Sequence, residues 1–127
     1  MKLISHRGLF DENIKENTIE SIIKAFNNKK YIGVEFDLRV TKDGKFIIYH
    51  DPILNGKLIN NTNFNELPRY IPKLEQILKI NTNKIFFISI KNILLVLIFN
   101  ICSSLGIYLG SSLKFVLFMS FPLSIGS

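Results

Sequence analysis

Between Gly33 and Val40 apolar and polar residues alternate without a break. Val34, Phe36, Leu38 and Val40 fall on one face of a strand, and Glu35, Asp37 and Arg39 on the other, because strand side chains alternate with period two. The apolar face alone suffices to bury the strand, so the acidic face has a separate purpose, and a metal ion is the simplest one. Upstream, the period changes to that of a helix. Ile19, Ile22, Ile23 and Phe26 recur at helical spacing from Asn17 to about Asn28, with Asn17 as the expected N-cap and Glu20 at the capping-box position. Before this helix, Lys2–Ser5 reads as a short strand that delivers His6-Arg7-Gly8 at its end, where Gly8 permits an unusual backbone angle.

Downstream, Asp43-Gly44 is a hairpin signal between two β-rich runs. A two-residue turn sets Lys42 opposite Lys45 and therefore His50 opposite Asp37, about 5 Å apart at Cβ. A three-residue loop with a glycine bulge shifts that register and turns His50 away. Pro52–Tyr70 has no sustained period and reads as an excursion loop. Pro72 then opens a second helix, with Leu74, Ile77 and Leu78 as its stripe, ending near Asn81. Lys84–Lys91 predicts a strand with Ser89 and Lys91 on one face and Phe86, Ile88 and Ile90 on the other. Strands and helices in this order predict an α/β unit with largely parallel strands.

From Ile93 to Leu113 no side chain is charged, and the run is long enough to span a bilayer. Gly106 and Gly110 have the small-residue spacing that brings helices together in lipid, whereas Asn100, Ser103-Ser104 and Ser111-Ser112 argue for a helix buried in protein. Both readings stand at this level. Leu113–Phe121 reads as one more strand, ended by Pro122. The 127 residues suffice for one domain. The net charge is +6, but the lysines are scattered among Asn and Ile, and no aromatic–basic alternation occurs, so nucleic acid is not an expected partner. A single cysteine, Cys102, excludes an internal disulfide and fits a reducing compartment. With no secretory signal ahead of the first motif, a cytoplasmic location, or the cytoplasmic face of a membrane, is expected.

The candidate chemistry gathers at three strand ends: His6-Arg7, Glu35 with Asp37, and His50-Asp51. In parallel α/β layouts sites form at the carboxyl ends of strands. Two histidines that give and take protons, beside carboxylates suited to Mg²⁺ or Ca²⁺, are the equipment for cleaving a phosphodiester. An arginine would hold the phosphoryl oxygens.

The ordered motifs SHRG at Ser5–Gly8, ENT at Glu16–Thr18, VEFDLRVTKDG at Val34–Gly44, HDP at His50–Pro52 and IPKLEQIL at Ile71–Leu78 carry a resemblance. Over roughly residues 3–91 the chain resembles the glycerophosphodiester phosphodiesterases. The resemblance implies a TIM-type (β/α) barrel that hydrolyses small-molecule glycerophosphodiesters to glycerol 3-phosphate and an alcohol. It implies His6 and His50 as the acid/base pair, Arg7 as a phosphate contact and Glu35 and Asp37 as ligands of Mg²⁺ or Ca²⁺, with Asn17 and Asp51 in support. The family's next strand carries Glu-x-Lys, the third metal carboxylate and a second phosphate contact. Here Ser89 stands in the glutamate's place and Lys91 is retained.

A full barrel takes about 250 residues, so the expected architecture is α/β, an incomplete TIM-type barrel of about the first half with an apolar C-terminal segment. Residues 1–92 are then a partial phosphodiesterase domain. Residues 93–127 form an apolar tail, either a membrane helix over 93–113 or a degenerate barrel helix followed by a strand. Truncation, a disrupted reading frame, membrane association, or self-association through open barrel edges each accounts for such a tail. The alternative function is a catalytically inactive, truncated relic or phosphate-binding module.

Overall fold

The computed structural model describes residues 2–80, 82–90 and 115–119. Four parallel strands form its backbone: β1 (Leu3–His6), β2 (Tyr31–Val40), β6 (Ile85–Ile90) and β7 (Phe115–Met119), side by side in that order. Each parallel strand is added to the same edge as the chain advances, the order of a barrel rather than of a doubly wound sheet. Between β1 and β2 runs helix α1 (Ile19–Phe26), and helix α2 (Leu74–Leu78) precedes β6.

The alternation along β2 separates two environments. Val34, Phe36 and Leu38 are fully buried, together with Phe86, Ile88 and Ile90 of β6, Ile22 and Ala25 of α1, and Leu74 and Ile77 of α2. Burial of each large member contributes roughly 1.5–3 kcal/mol, so this single layer between sheet and helices carries most of the stabilisation. Phe86 closes it with edge-to-face contacts to Phe26 and Phe36. The opposite sheet face carries Glu35, Asp37, Arg39 and Ser89.

β2 is long enough to serve two neighbours on one edge. Its first half pairs with β1, from Leu3↔Tyr31 to His6↔Glu35. Its last residues run past the end of β1 and pair antiparallel with β3 (Phe46–Ile48). Gly33 permits the close approach of β2 and β6: a Cβ there would lie 2.5 Å from the Ile85 carbonyl oxygen.

The hairpin corrects the two-residue-turn register. The pairs are Leu38↔Ile48, Arg39↔Ile47 and Val40↔Phe46, so His50 does not face Asp37 across the ladder. The turn closes instead through Thr41 and Lys45, whose backbone bond is 2.9 Å, with Gly44 at φ 78°. Thr41 Oγ1 donates to Asp43 Oδ1 at 2.6 Å and accepts from Lys45 N at 2.9 Å, and these bonds select the longer loop.

Helix α1 begins one residue later than expected. Thr18, not Asn17, is the N-cap, and Ser21, not Glu20, completes the capping box. Helix α2 is confined to Leu74–Leu78; Pro72 lies ahead of it, where its carbonyl accepts from Ile48 N. The excursion loop has internal order. It contains the small hairpin β4 (Ile53–Leu54) and β5 (Lys57–Leu58) and two short 3₁₀ turns. Ile59 and Ile71 pack there on Ile47, forming a second core on the other side of β3. Lys91 and the span 93–113 lie outside the described residues. Among those described, no helix is long and apolar enough to cross a membrane.

Candidate active site

At the end of β1 the chain turns sharply away from the sheet. Arg7 adopts φ 60° and Gly8 φ 82°, and Arg7 N still donates to Glu35 O at 2.7 Å. A Cβ on Gly8 would meet Ser21 Oγ at 2.5 Å, so glycine is required both by the backbone angle and by the contact with the first turn of α1. This turn aims the Arg7 guanidinium back over β2. Its Nη1 donates to Glu16 Oε2 at 2.9 Å, and its Nε forms an ion pair with Asp37 Oδ2 at 3.1 Å.

Asn17 holds the same carboxylate. It sits at φ 54°, nearly fully buried, donates from Nδ2 to Asp37 Oδ2 at 3.0 Å and accepts from Asp37 N at 3.3 Å. Asn17 is therefore a brace for Asp37 rather than a helix cap, and freeing it for that purpose leaves the cap to Thr18. Glu35, one step back on the same face, stands beside His6: Oε2 to Nε2 is 3.6 Å, an ion-pair distance too long for a hydrogen bond. Glu35 Oε2 is buried and accepts no hydrogen bond. Burial, and then the neighbouring Asp37 charge, push the Glu35 carboxyl above its ordinary range, with the Ser89 hydroxyl opposing. Ser89 is the register partner of Asp37 on β6, so a hydroxyl occupies the neighbouring-strand position beside both carboxylates.

His50 arrives from the other direction, on the segment that follows β3. Its Nδ1 lies 2.7 Å from Asp51 Oδ1, and its backbone oxygen accepts from Arg39 Nε at 2.8 Å and from Arg39 Nη2. Burial lowers the tendency of Arg39 to hold its proton, with Asp37 opposing. A cleft of about 380 Å³ is lined by Arg7, Glu16, Asn17, Tyr49, His50 and Asp51, and continues past Phe10 and Tyr70.

Arg7, Asn17, His50 and Asp51 thus share one cleft. Glu35 and Asp37 lie side by side behind Arg7, and His6 and Glu35 pair with each other at the β1–β2 end without lining that cleft. Two residues of the site received no role from the sequence. Glu16 holds Arg7, and its position in the ENT run was the only signal. Arg39 holds His50; its shared face with Asp37 was legible, but its target depends on where the chain leaves the hairpin.

A parallel α/β sheet thus carries a polar cleft with a His50–Asp51 pair, and two adjacent carboxylates behind it, at the carboxyl ends of its strands. A model of the glycerophosphoryl diester phosphodiesterase family matches residues 6–94, and the chain belongs to that family, as a partial, N-terminal portion of the domain. It is similar to a mouse (Mus musculus) protein named lysophospholipase D, 34% identical over 80 residues covering 59% of this chain and 24% of that protein. It is also similar to a glycerophosphodiester phosphodiesterase of Bacillus altitudinis, 31% identical over 113 residues covering 72% of this chain and 45% of the relative. Among solved structures, glycerophosphodiester phosphodiesterase from Thermotoga maritima superposes with a TM-score of 0.70 at 27% identity, over 90% of this chain and 52% of its own. One from Parabacteroides distasonis gives a TM-score of 0.71 at 19% identity, over 90% of this chain and 45% of its own, a likeness of fold. The chain spans about half, or less, of the length of these relatives.

Proposed function

We propose that this chain carries the phosphate-handling site of a metal-dependent phosphoric diester hydrolase, acting on glycerophosphodiesters to give glycerol 3-phosphate and an alcohol. Residues 1–92 are its phosphodiesterase part. The observation that carries the reading is the cleft in which Arg7, Asn17, His50 and Asp51 meet in front of Asp37. Arg7, tethered by Glu16 and Asp37, is the contact for the phosphoryl oxygens. Lys91, outside the described residues, is proposed as a second.

His50 is assigned the base. With Nδ1–H directed at Asp51, its Nε2 is left as the proton acceptor for the attacking oxygen. His6 stands against Glu35 at the end of β1, beside that cleft rather than in its lining. It is assigned the acid that returns a proton to the leaving alkoxide as the new P–O bond forms and the old one breaks. Asn17 acts by keeping the Asp37 carboxylate in place.

A divalent cation fits the carboxylates. Glu35 has a buried oxygen without a hydrogen bond, its charge is disfavoured by burial and by Asp37, and two carboxylates supplemented by substrate and water oxygens suit Mg²⁺ or Ca²⁺. Among the described residues no group of three or more His, Cys, Asp or Glu gathers around one point. Glu35 and Asp37 would hold the ion, which when bound offsets the negative charge that develops on the phosphoryl oxygens.

The test is hydrolysis of glycerophosphocholine by purified protein with Mg²⁺ or Ca²⁺, alongside His6→Ala and His50→Ala. Loss of turnover in both variants and in chelator supports the assignment; turnover that survives either substitution overturns it. A second reading, a phosphate-binding module without turnover, is favoured by Ser89 beside Glu35 and Asp37. It predicts that inorganic phosphate binds, that no hydrolysis occurs, and that Ser89→Glu does not restore it. A gain of hydrolysis in Ser89→Glu would assign the deficit to the third ligand alone.

A further inference from the structure

We infer that Arg39 is a positioning residue for His50, a role that rests on the hydrolase reading above but concerns a geometry testable without it. The β2–β3 ladder pairs Leu38 with Ile48 and Val40 with Phe46. Continued by two residues, that register sets His50 opposite Phe36, whose side chain is fully buried in the main core. A histidine held in that ladder would face the apolar layer, away from Arg7 and Asn17. The chain instead leaves β3 at Ile48, and His50 lines the cleft.

Arg39 receives the chain at this departure. Both its Nε and its Nη2 donate to the single carbonyl oxygen of His50. Two donors converging from a rigid planar fork fix the direction of that peptide as well as its distance. The other attachments of His50 do different work. Tyr49 N donates to Asp37 O at 3.0 Å, which holds the preceding residue near β2. Asp51 meets the ring at Nδ1 from an exposed position and sets the tautomer. Arg39 therefore governs where the backbone presents the ring, and Asp51 which nitrogen the ring presents. The same-face placement of Arg39 with Asp37 couples the strand that carries the carboxylates to the loop that carries the histidine. A lysine, as a point donor without a fork, cannot reproduce this contact.

The chain has two histidines, so the imidazole C–H region of a ¹H–¹³C spectrum contains two ring systems, assigned with His50→Asn. In ligand-free Arg39→Lys and Arg39→Gln the His50 ring signals should move and broaden while those of His6 stay in place. A His50 signal unmoved in both variants, or both rings displaced equally, overturns the inference. Should either variant fail to fold, the wild-type protein decides: the Arg39 Nε–H should exchange slowly and show contacts to Asp51, and a fast-exchanging Nε–H without them overturns the inference. Where the wild type turns over glycerophosphocholine, the variants should lose about 10²-fold in kcat with KM within about twofold, the signature of a misplaced group rather than of lost binding. An equal loss in KM alone counts against the inference. A wild type without turnover removes the hydrolase reading and leaves the ligand-free spectra to decide the role of Arg39.

Discussion

Glu35 is placed at a cost to the fold. Its carboxyl is raised by burial and by Asp37, so in the folded chain the ionised form is disfavoured relative to the unfolded chain. A raised acid destabilises the fold in full above its folded pKa; the penalty shrinks as pH falls through that value and is gone below the unfolded one. In metal-free buffer at neutral pH, Glu35→Gln should therefore melt higher than wild type, with the difference closing toward acid; thermal scans from pH 7 to pH 4 check it. Asn17 is the reverse case, a residue whose removal harms the fold. Asn17→Ala deletes two bonds to the buried Asp37 and leaves a side chain with Cβ at φ 54°. A loss of about 1–3 kcal/mol is expected in urea unfolding. The role of Asn17 also explains why the helix starts one residue later than its sequence predicts. Asparagine and threonine are both good caps, and only the tertiary demand of Asp37 on Asn17 decides between them.

At the scale of elements, the hairpin is the part whose acid stability is legible. Asp43 is held below the usual carboxylate range by the Thr41 hydroxyl and by the Phe64 backbone N–H. Its stabilisation is therefore complete above the ordinary aspartate range and is lost as pH falls through the lowered folded value. Asp43→Asn should flatten that part of the acid limb; a chemical-denaturation series between pH 5 and pH 2 measures it. Gly33 tests the close approach of β2 and β6. Gly33→Ala places a methyl against the Ile85 carbonyl and the Phe87 ring, and overpacking of this kind costs roughly 1–3 kcal/mol. The alternation of β2, the stripe of α1 and the order of strands and helices were readable because each depends on local period and burial. The hairpin register was not, because it turns on side-chain bonds at Thr41 that a turn dipeptide does not encode. The site shows the same division: Glu35 and Asp37 follow from the strand's own period, whereas the cleft position of His50 depends on Arg39 and on where β3 ends.

For the whole molecule, the described chain has two cores that meet at β3, where Ile48 belongs to the main layer and Ile47 to the smaller one. The main layer is built on β2 and β6, and so supports Glu35 and Asp37, with Arg7 tied to it through Asp37. The smaller one holds the excursion loop, and the chain passes from Ile47 to His50 within three residues. The carboxylate half and the His50–Asp51 half of the site are thus supported by different packing. Ile77→Ala, in the main layer, should cost about 2–5 kcal/mol and lower protection throughout the sheet. Ile59→Ala, in the smaller cluster, should leave the protection of β2 amides in hydrogen exchange close to wild type. It should instead expose the amides from Pro52 to Ile71 and broaden the His50 ring signals. Loss of β2 protection to the same degree in both variants would show that the two cores unfold as one unit, and that the two halves of the site share a single support.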